Sequence, residues 1–366
     1  MKKIILIFLA VMMTESAIAS KARLMALGQD SEGSFIVRDN RNIFLNPAQI
    51  VTLNNSFNFE MGDINTGVDP NAEGGMIYDL NNGRIGLQLG RRSYVFDQIV
   101  LAEAGPTIGD LLTPNNTIDV IYGSNKNSPW GIGVHYGSAS SNALNSGFPR
   151  RESSELQVYG GILREKLEVY GQLGLNAEAE EKASATAEDK YKGGVYIKGG
   201  VSFQIDDVAK VFGSLTKFDY DVTDDTGTKT EVNALVIEVS YARIHKPKND
   251  LMFFYGGGLL QKTGDSETAG TNVDDEELSI PVFVGLEGSA TTWMDLRASV
   301  SQRVLLNHVE NTALDNDHSP NTTTVGAGAT LKFTNFLVDA TLAGASTNGD
   351  IDGNQLFANA SILYNF

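Results

Sequence analysis

From Asn55 to Phe366, apolar and polar residues alternate one by one in segment after segment, and this period of two constrains the chain more than any other feature. A strand points successive side chains to opposite faces, so sustained alternation specifies strands with one oily and one polar side. About sixteen such segments can be marked: 57–62, 76–80, 84–91, 117–123, 130–138, 154–163, 166–175, 191–205, 208–220, 231–243, 251–262, 277–288, 293–304, 323–333, 336–345 and 356–366. In 191–205, Val195, Ile197, Val201, Phe203 and Ile205 share one face, and Gly194, Tyr196, Lys198, Ser202 and Gln204 the other. In 293–304, Leu296, Ala298, Val300 and Val304 oppose Asp295, Arg297, Ser299, Ser301 and Arg303. A lipid-facing arginine near a bilayer midplane costs roughly 2–4 kcal/mol, so Arg297 and Arg303 are expected to face a lumen. The same alternation assigns Lys198 to the lumen, and His135, opposite in phase to Ile132, Val134 and Tyr136, with it.

Connection lengths give an independent test. Working back from Phe366, the connections 346–354, 305–322 and 263–276 are long, while 334–335 and 289–292 are short. Further back, 206–207, 164–165, 125–128 and the turn Asn81-Asn82-Gly83 are short, and 176–190, 139–153 and 92–116 are long. Membrane barrels pair short periplasmic turns with long external loops, whereas a soluble β-sandwich has no reason to keep that parity. The expected fold is therefore all-β: an antiparallel transmembrane β-barrel of about sixteen strands, or fourteen if the short segments 76–80 and 84–91 do not cross. The last strand places Tyr364 and Phe366 on one face with Leu356, Ala358, Ala360 and Ile362. A two-faced strand ending on an aromatic carboxyl terminus resembles the closing strand that barrel-assembly machinery reads. Tyr364 and Phe366 are taken as the barrel-closing residues, and with Trp130 and Trp293 they suit an interfacial aromatic girdle.

The first residues carry the compartment. Lys2 and Lys3 precede an apolar run from Ile4 to Met13, and Ala17-Ile18-Ala19 has the small residues of a cleavage site, so residues 1–19 read as a secretory signal peptide. The run is too short for a spanning helix. A bacterial outer-membrane location follows from the export signal and the strand pattern together. The chain has no cysteine, which excludes thiolate metal sites and a cysteine nucleophile, and a net charge of -17 argues against nucleic-acid binding.

Residues 20–54 do not alternate and form a separate unit ahead of the barrel at 55–366. Within it, Asn46-Pro47-Ala48 places a capping residue before a proline at a first helical position, which predicts a short helix through Gln49, Ile50 and Val51. An Ala22-Arg23 start, Met25-Ala26-Leu27-Gly28, the pair Asp39-Asn40 and then Asn46-Pro47-Ala48 resemble the amino-terminal hatch of the outer-membrane long-chain fatty-acid transporter superfamily. That resemblance implies a plug inside the lumen, fixed by Asn46, Pro47 and Ala48, that blocks the barrel and shifts to admit hydrophobic substrates. The chain departs from the pattern at Gln29-Asp30-Ser31-Glu32-Gly33, where paired glycines and an alanine-rich run are usual.

Few residues suggest chemistry. Asn348-x-Asp350-x-Asp352-Gly353 matches the opening of a calcium loop, but the twelfth position is Asn359, inside the last strand, so it is a weak calcium-loop candidate and an Asx-rich turn is the preferred reading. His135 has no local catalytic motif beside it, so no enzyme activity and no cofactor are expected. The expected function is an outer-membrane channel or transporter for small, hydrophobic molecules, in contact with outer-membrane lipids and the assembly machinery. The alternatives are a general diffusion porin and a non-conducting structural or adhesive surface protein.

Overall fold

The computed structural model describes residues 20–62, 71–92, 111–126, 128–142, 149–182, 184, 188–248, 251–310, 322–347 and 356–366. Sixteen strands form one closed antiparallel barrel. They are β1 (Ser56–Gly62), β2 (Asn71–Leu80), β3 (Gly83–Leu89), β4 (Asn116–Ser124), β5 (Trp130–Asn142), β6 (Arg150–Leu163), β7 (Leu167–Lys182), β8 (Glu188–Gln204), β9 (Ala209–Thr223), β10 (Lys229–Lys248), β11 (Leu251–Thr268), β12 (Thr271–Thr291), β13 (Met294–Glu310), β14 (Thr322–Phe333), β15 (Phe336–Thr347) and β16 (Leu356–Asn365). Each pairs with its sequence neighbours, and β16 returns to β1, with Tyr364 opposite Phe57 and Asn359 opposite Gly62. Closure leaves no unpaired edge, which is what a sheet in hydrocarbon requires.

The two faces separate as alternation dictates. Val195, Ile197, Val201 and Phe203 of β8 are exposed on the outside, as are Ile132, Val134 and Tyr136 of β5. The intervening positions point inward, and many are buried and polar: Gln88, Asp119, His135, Glu155, Arg297, Asp339. A wall that is apolar outside and polar inside is that of a membrane-spanning barrel. At the closing seam the Phe366 ring stacks on Phe57 at 5.0 Å, and the Phe336 and Tyr364 rings lie 4.6 Å apart.

Three expectations from the sequence need correction. Segment 76–80 is the second half of a ten-residue strand, β2, so the fourteen-strand alternative does not hold. The connection 263–276 is not a loop: β11 and β12 stay paired to Thr268 and Thr271 and turn through Ala269-Gly270, both at positive φ, 51° and 81°. Similarly, β7 and β8 remain paired up to Lys182 opposite Glu188, within what reads as a long loop at 176–190. Above the lipid both faces of a strand meet water, so the apolar alternation stops while the backbone pairing continues. Residues 1–19, the read signal peptide, and Asn348, Asp350 and Asp352, the calcium-loop candidate, lie outside the described residues.

The amino-terminal residues pack against the inward face of this wall. Helix α1 (Lys21–Ala26) is capped by Ser20, whose Oγ accepts from the Arg23 amide at 2.9 Å. Helix α2 (Asn42–Leu45) is followed by a 3-10 helix (Pro47–Thr52), in which Asn46 Oδ1 accepts from the Ala48 amide at 3.0 Å and Pro47 opens the first turn. The cap and the proline form as their residue types dictate, in a 3-10 rather than an α geometry.

Candidate functional site

The site is the contact between residues 20–54 and the barrel wall. It has an ionic part, a glycine-lined part and an apolar part. In the ionic part, cations of the segment meet carboxylates that the strands aim inward. Arg41 Nη1 donates to Glu60 Oε2 of β1 at 2.8 Å and to Glu73 Oε2 of β2 at 2.9 Å. Lys21 reaches the same pair, its amide to Glu60 Oε2 at 3.0 Å and its Nζ to Glu73 Oε1 at 3.4 Å. Arg23 makes a two-pronged bond to Glu287 of β12, at 2.8 and 2.7 Å, and also holds Asp39 Oδ2 at 3.1 Å. Ser20 Oγ donates to Asp339 Oδ2 of β15 at 3.0 Å, and Arg297 Nη1 holds the other oxygen of Asp339 at 2.9 Å.

Electrostatics in this crowded interior follow from burial and partners. Burial works against the charged form of Arg41, but Glu60 and Glu73 more than offset it, and its pKa rises. Burial lowers the Lys21 pKa, with Glu73 opposing. Asp39 is pushed up from 3.8 to about 6, chiefly by burial and also by the nearby Asp339, against the pull of Arg23 and the Arg41 amide. Removing one partner of such a buried pair costs about 3–5 kcal/mol, because the other charge is left without compensation.

A second polar cluster ties the base of the connection after β3 to the same segment. Arg91 donates to both oxygens of Asp119, at 3.0 and 2.7 Å, and contacts Glu32 of the segment. Asp119 Oδ1 lies 3.1 Å from His135 Nδ1 and accepts from Tyr159 Oη at 3.0 Å. His135 Nε2 lies 3.0 Å from Glu155 Oε1. The Arg41 and Arg91 guanidinium carbons stand 5.0 and 4.7 Å from the centre of the Phe44 ring, so one aromatic ring of the segment serves two cations.

The glycine-lined part receives Asn46-Pro47-Ala48. Gly123, Gly131 and Gly161 are directly opposite one another across β4, β5 and β6. A Cβ at Gly131 would stand 2.4 Å from the Pro47 carbonyl, one at Gly161 2.0 Å from Asn46 Oδ1, and one at Gly123 2.5 Å from Ile50 Cγ2. Asn46 Nδ2 and Gln49 Nε2 donate to Glu168 Oε1 of β7 at 3.2 and 2.8 Å, and Gln172 Nε2 donates to the Phe44 carbonyl at 2.9 Å. Helix α1 has a similar seat on β14, where a Cβ at Gly328 would be 2.8 Å from Ala26 Cβ.

The apolar part lies on β9–β12. Leu24, Leu27, Ile36 and Val37 of the segment bury against Ala242 and Phe254, with Phe212, Ile244, Met252 and Phe283 packed around them. The Phe35 ring stands 5.5 Å from Phe212 and 5.8 Å from Tyr170, and Lys210 Nζ donates to its carbonyl at 2.7 Å.

The structure brings several sequence-derived candidates together and separates others. Asn46, Pro47 and Ala48 are buried at the wall, and Arg297 and His135 are buried and point inward. Lys198 faces inward and is half-buried. Arg303 is more open and pairs with Glu277 at 3.3 Å. Sequence reasoning missed the segment's own cations, Lys21, Arg23 and Arg41, and their wall partners Glu60, Glu73, Glu287 and Asp339. The available signal was a carboxylate at an inward phase: Glu60 sits between the outward Phe59 and Met61.

No family model and no curated protein matches the chain. Among solved structures, a Pseudomonas aeruginosa FadL homologue aligns over 95% of this chain and 98% of its own, with a TM-score of 0.50 and 11% identity. The Pseudomonas putida toluene transporter TodX aligns over 95% and 98% at a TM-score of 0.41 and 9% identity. A loop-deletion form of OmpT, an outer membrane protein of Vibrio cholerae, aligns over 85% and 97% at 0.40 and 12%. At such identities the likeness is one of fold, and it rests on the first of these. The closed ring, its apolar belt and that match describe an outer-membrane β-barrel.

Proposed function

We propose that this chain is an outer-membrane channel for small hydrophobic molecules and that residues 20–54 are the plug that gates it. The observation that carries this reading is the apolar inner wall at Ala242, Phe254 and Phe283, covered by Leu24, Leu27, Ile36 and Val37. A water-filled diffusion pore is polar inside, and an aliphatic and aromatic patch there serves no hydrated solute. If the plug shifts, this patch becomes the surface along which an apolar molecule travels. Asn46, Pro47 and Ala48 hold the plug's carboxyl-terminal end on its glycine row, and Arg297 holds the wall carboxylate that Ser20 binds. Outer-membrane lipids meet the outer belt, and the Tyr364 and Phe366 end is what assembly machinery engages.

Planar-bilayer recordings of the full-length protein and of a form lacking residues 20–54 test the gating. The intact protein should be nearly silent and the deleted form should conduct; a wide, steady conductance from the intact protein would favour the general diffusion porin. Liposome uptake of a hydrophobic dye against a hydrophilic sugar of similar size tests the substrate class.

A further inference from the structure

On the lipid-facing side of the wall, one arginine stands among apolar neighbours. The outward positions of β10 run Ile237, Val239 and Tyr241, all exposed, and the next are Arg243 and His245. Register sets Arg243 opposite Ala209 of β9 and Tyr255 of β11, and Tyr255 opposite Val284 of β12. One row nearer the turns, His245 lies opposite Phe253, which lies opposite Leu286. Tyr255, Val284, Phe253 and Leu286 are all exposed on the outer surface, so the apolar belt continues through the row of Arg243 and beyond it. The Ile244 amide donates to the Val208 carbonyl at 2.7 Å, which puts Arg243 level with the β8–β9 turn, a short and therefore periplasmic connection.

Nothing in the protein answers this charge. Arg243 has no hydrogen-bond or ion-pair partner among the described residues, and its Nε is shielded from solvent without one. Asp206, in the β8–β9 turn, is within electrostatic range, but its Oδ1 is engaged by the Val208 and Ala209 amides at 2.8 Å each. A guanidinium on the lipid face is costly at the bilayer midplane and tolerated at its edge, where a long side chain can turn its head out to the phosphates. Beside Arg243 the rings of His245, Phe253 and Tyr255 form a shelf: His245 lies 5.8 Å from Tyr255 with 13° between the planes, and Phe253 lies 5.6 Å from Tyr255. Lys246 and Lys248 are exposed at the foot of the same strand.

We propose that Arg243 binds the phosphate of an anionic glycerophospholipid of the periplasmic leaflet, a phosphatidylglycerol, whose acyl chains lie along Tyr241, Tyr255 and Val284. A guanidinium meets phosphate oxygens with two parallel N–H bonds, and the low dielectric at the edge of the belt strengthens the pair. A chain of net charge -17 repels anionic lipid in general, so selective retention of one such molecule requires a local cation. A zwitterionic headgroup brings its own ammonium up to Arg243, Lys246 and Lys248 and is disfavoured there. The inference concerns the outer surface and stands apart from the channel reading.

Native mass spectrometry of the full-length protein in detergent, titrated separately with phosphatidylglycerol, phosphatidylcholine and lipid A, tests it. Phosphatidylglycerol should bind saturably and about tenfold more tightly than phosphatidylcholine. Arg243→Gln should bring its affinity down to the phosphatidylcholine level, and Arg243→Lys should keep part of it, because an ammonium lacks the forked geometry. Lys217→Gln removes another exposed cation, opposite Ile197 and Leu235 and nearer the long external connections, and should leave the affinity unchanged. Heat-dependent gel mobility verifies that each variant is folded. Equal binding of the two phospholipids, unchanged affinity in Arg243→Gln, an equal loss in Lys217→Gln, or Arg243-dependent binding of lipid A tighter than that of phosphatidylglycerol overturns the proposal.

Discussion

Arg41 stands between two carboxylates from adjacent strands: its Nη1 lies 2.8 Å from Glu60 Oε2 and 2.9 Å from Glu73 Oε2. Strand pairing sets Glu60 directly opposite Glu73, so the two like charges share one short stretch of wall. Alone they would repel, and Arg41 and Lys21 from the amino-terminal segment make the pair tenable. The wall therefore presents an anionic socket to a cationic segment.

Removing that cation should loosen the segment. Arg41→Ala leaves two buried carboxylates short of a partner and is expected to weaken docking by about 3–5 kcal/mol. Arg41→Lys should recover only part, because an ammonium lacks the forked geometry of a guanidinium. Trypsin sensitivity of residues 20–54 in folded protein is the measurement: cleavage in Arg41→Ala no faster than in the parent would sink this account.

The glycine row makes a steric prediction. Gly131→Ala drives a Cβ to 2.4 Å from backbone atoms of Pro47, so the segment must lift there, at a cost of about 1–3 kcal/mol. Gly160→Ala is the control, since its Cβ would meet only the Gly131 carbonyl, at an ordinary 3.6 Å. Bilayer conductance should rise in the first variant and stay at the parental level in the second.

Docking should also depend on pH through Asp39. Its pKa is raised from 3.8 unfolded to about 6 in place, so the docked segment favours the protonated acid. The contribution to stability is present in full below about 4 and is lost as pH rises through about 6. Arg23, Ser20 and the Arg41 amide face this carboxyl, with Asp339 close by. Proteolytic protection of the segment, followed from pH 4 to 7.5, should fall across that window in the parent. A curve of the same shape in Asp39→Asn would assign the titration elsewhere.

The β11–β12 hairpin offers a prediction remote from the lumen. Ala269 occupies a left-handed conformation that costs an L-residue with a Cβ about 1–2 kcal/mol, and asparagine tolerates it better. Ala269→Asn should slow amide exchange near the turn, whereas Gly270→Ala, at φ 81°, should speed it. Opposite signs in hydrogen-exchange mass spectrometry are the expected result.

How far the sequence could be read depended on where each residue sits relative to lipid. For Val195, Ile197, Phe203 and Arg297, inside the belt, one face meets hydrocarbon and the other does not, so alternation records orientation directly. For the residues around Asp265 and Asp274, which pair across the β11–β12 hairpin, both faces meet water and the strand reads as a loop. His135 was legible as an inward residue, but its neighbours Asp119 and Glu155 come from β4 and β6, and only the pairing register brings them together.

By itself, the sequence determined the class of fold, the faces within the belt and the capped start at Asn46-Pro47, because each follows from residues close together in the chain, whereas the count of sixteen strands was settled by the structure. The tertiary structure decided what joins residues far apart. Gly123, Gly131 and Gly161 become a seat only when three strands align, and Arg23 finds Glu287 only across the closed ring. Register and closure are properties of the whole sheet, and no short stretch of sequence encodes them.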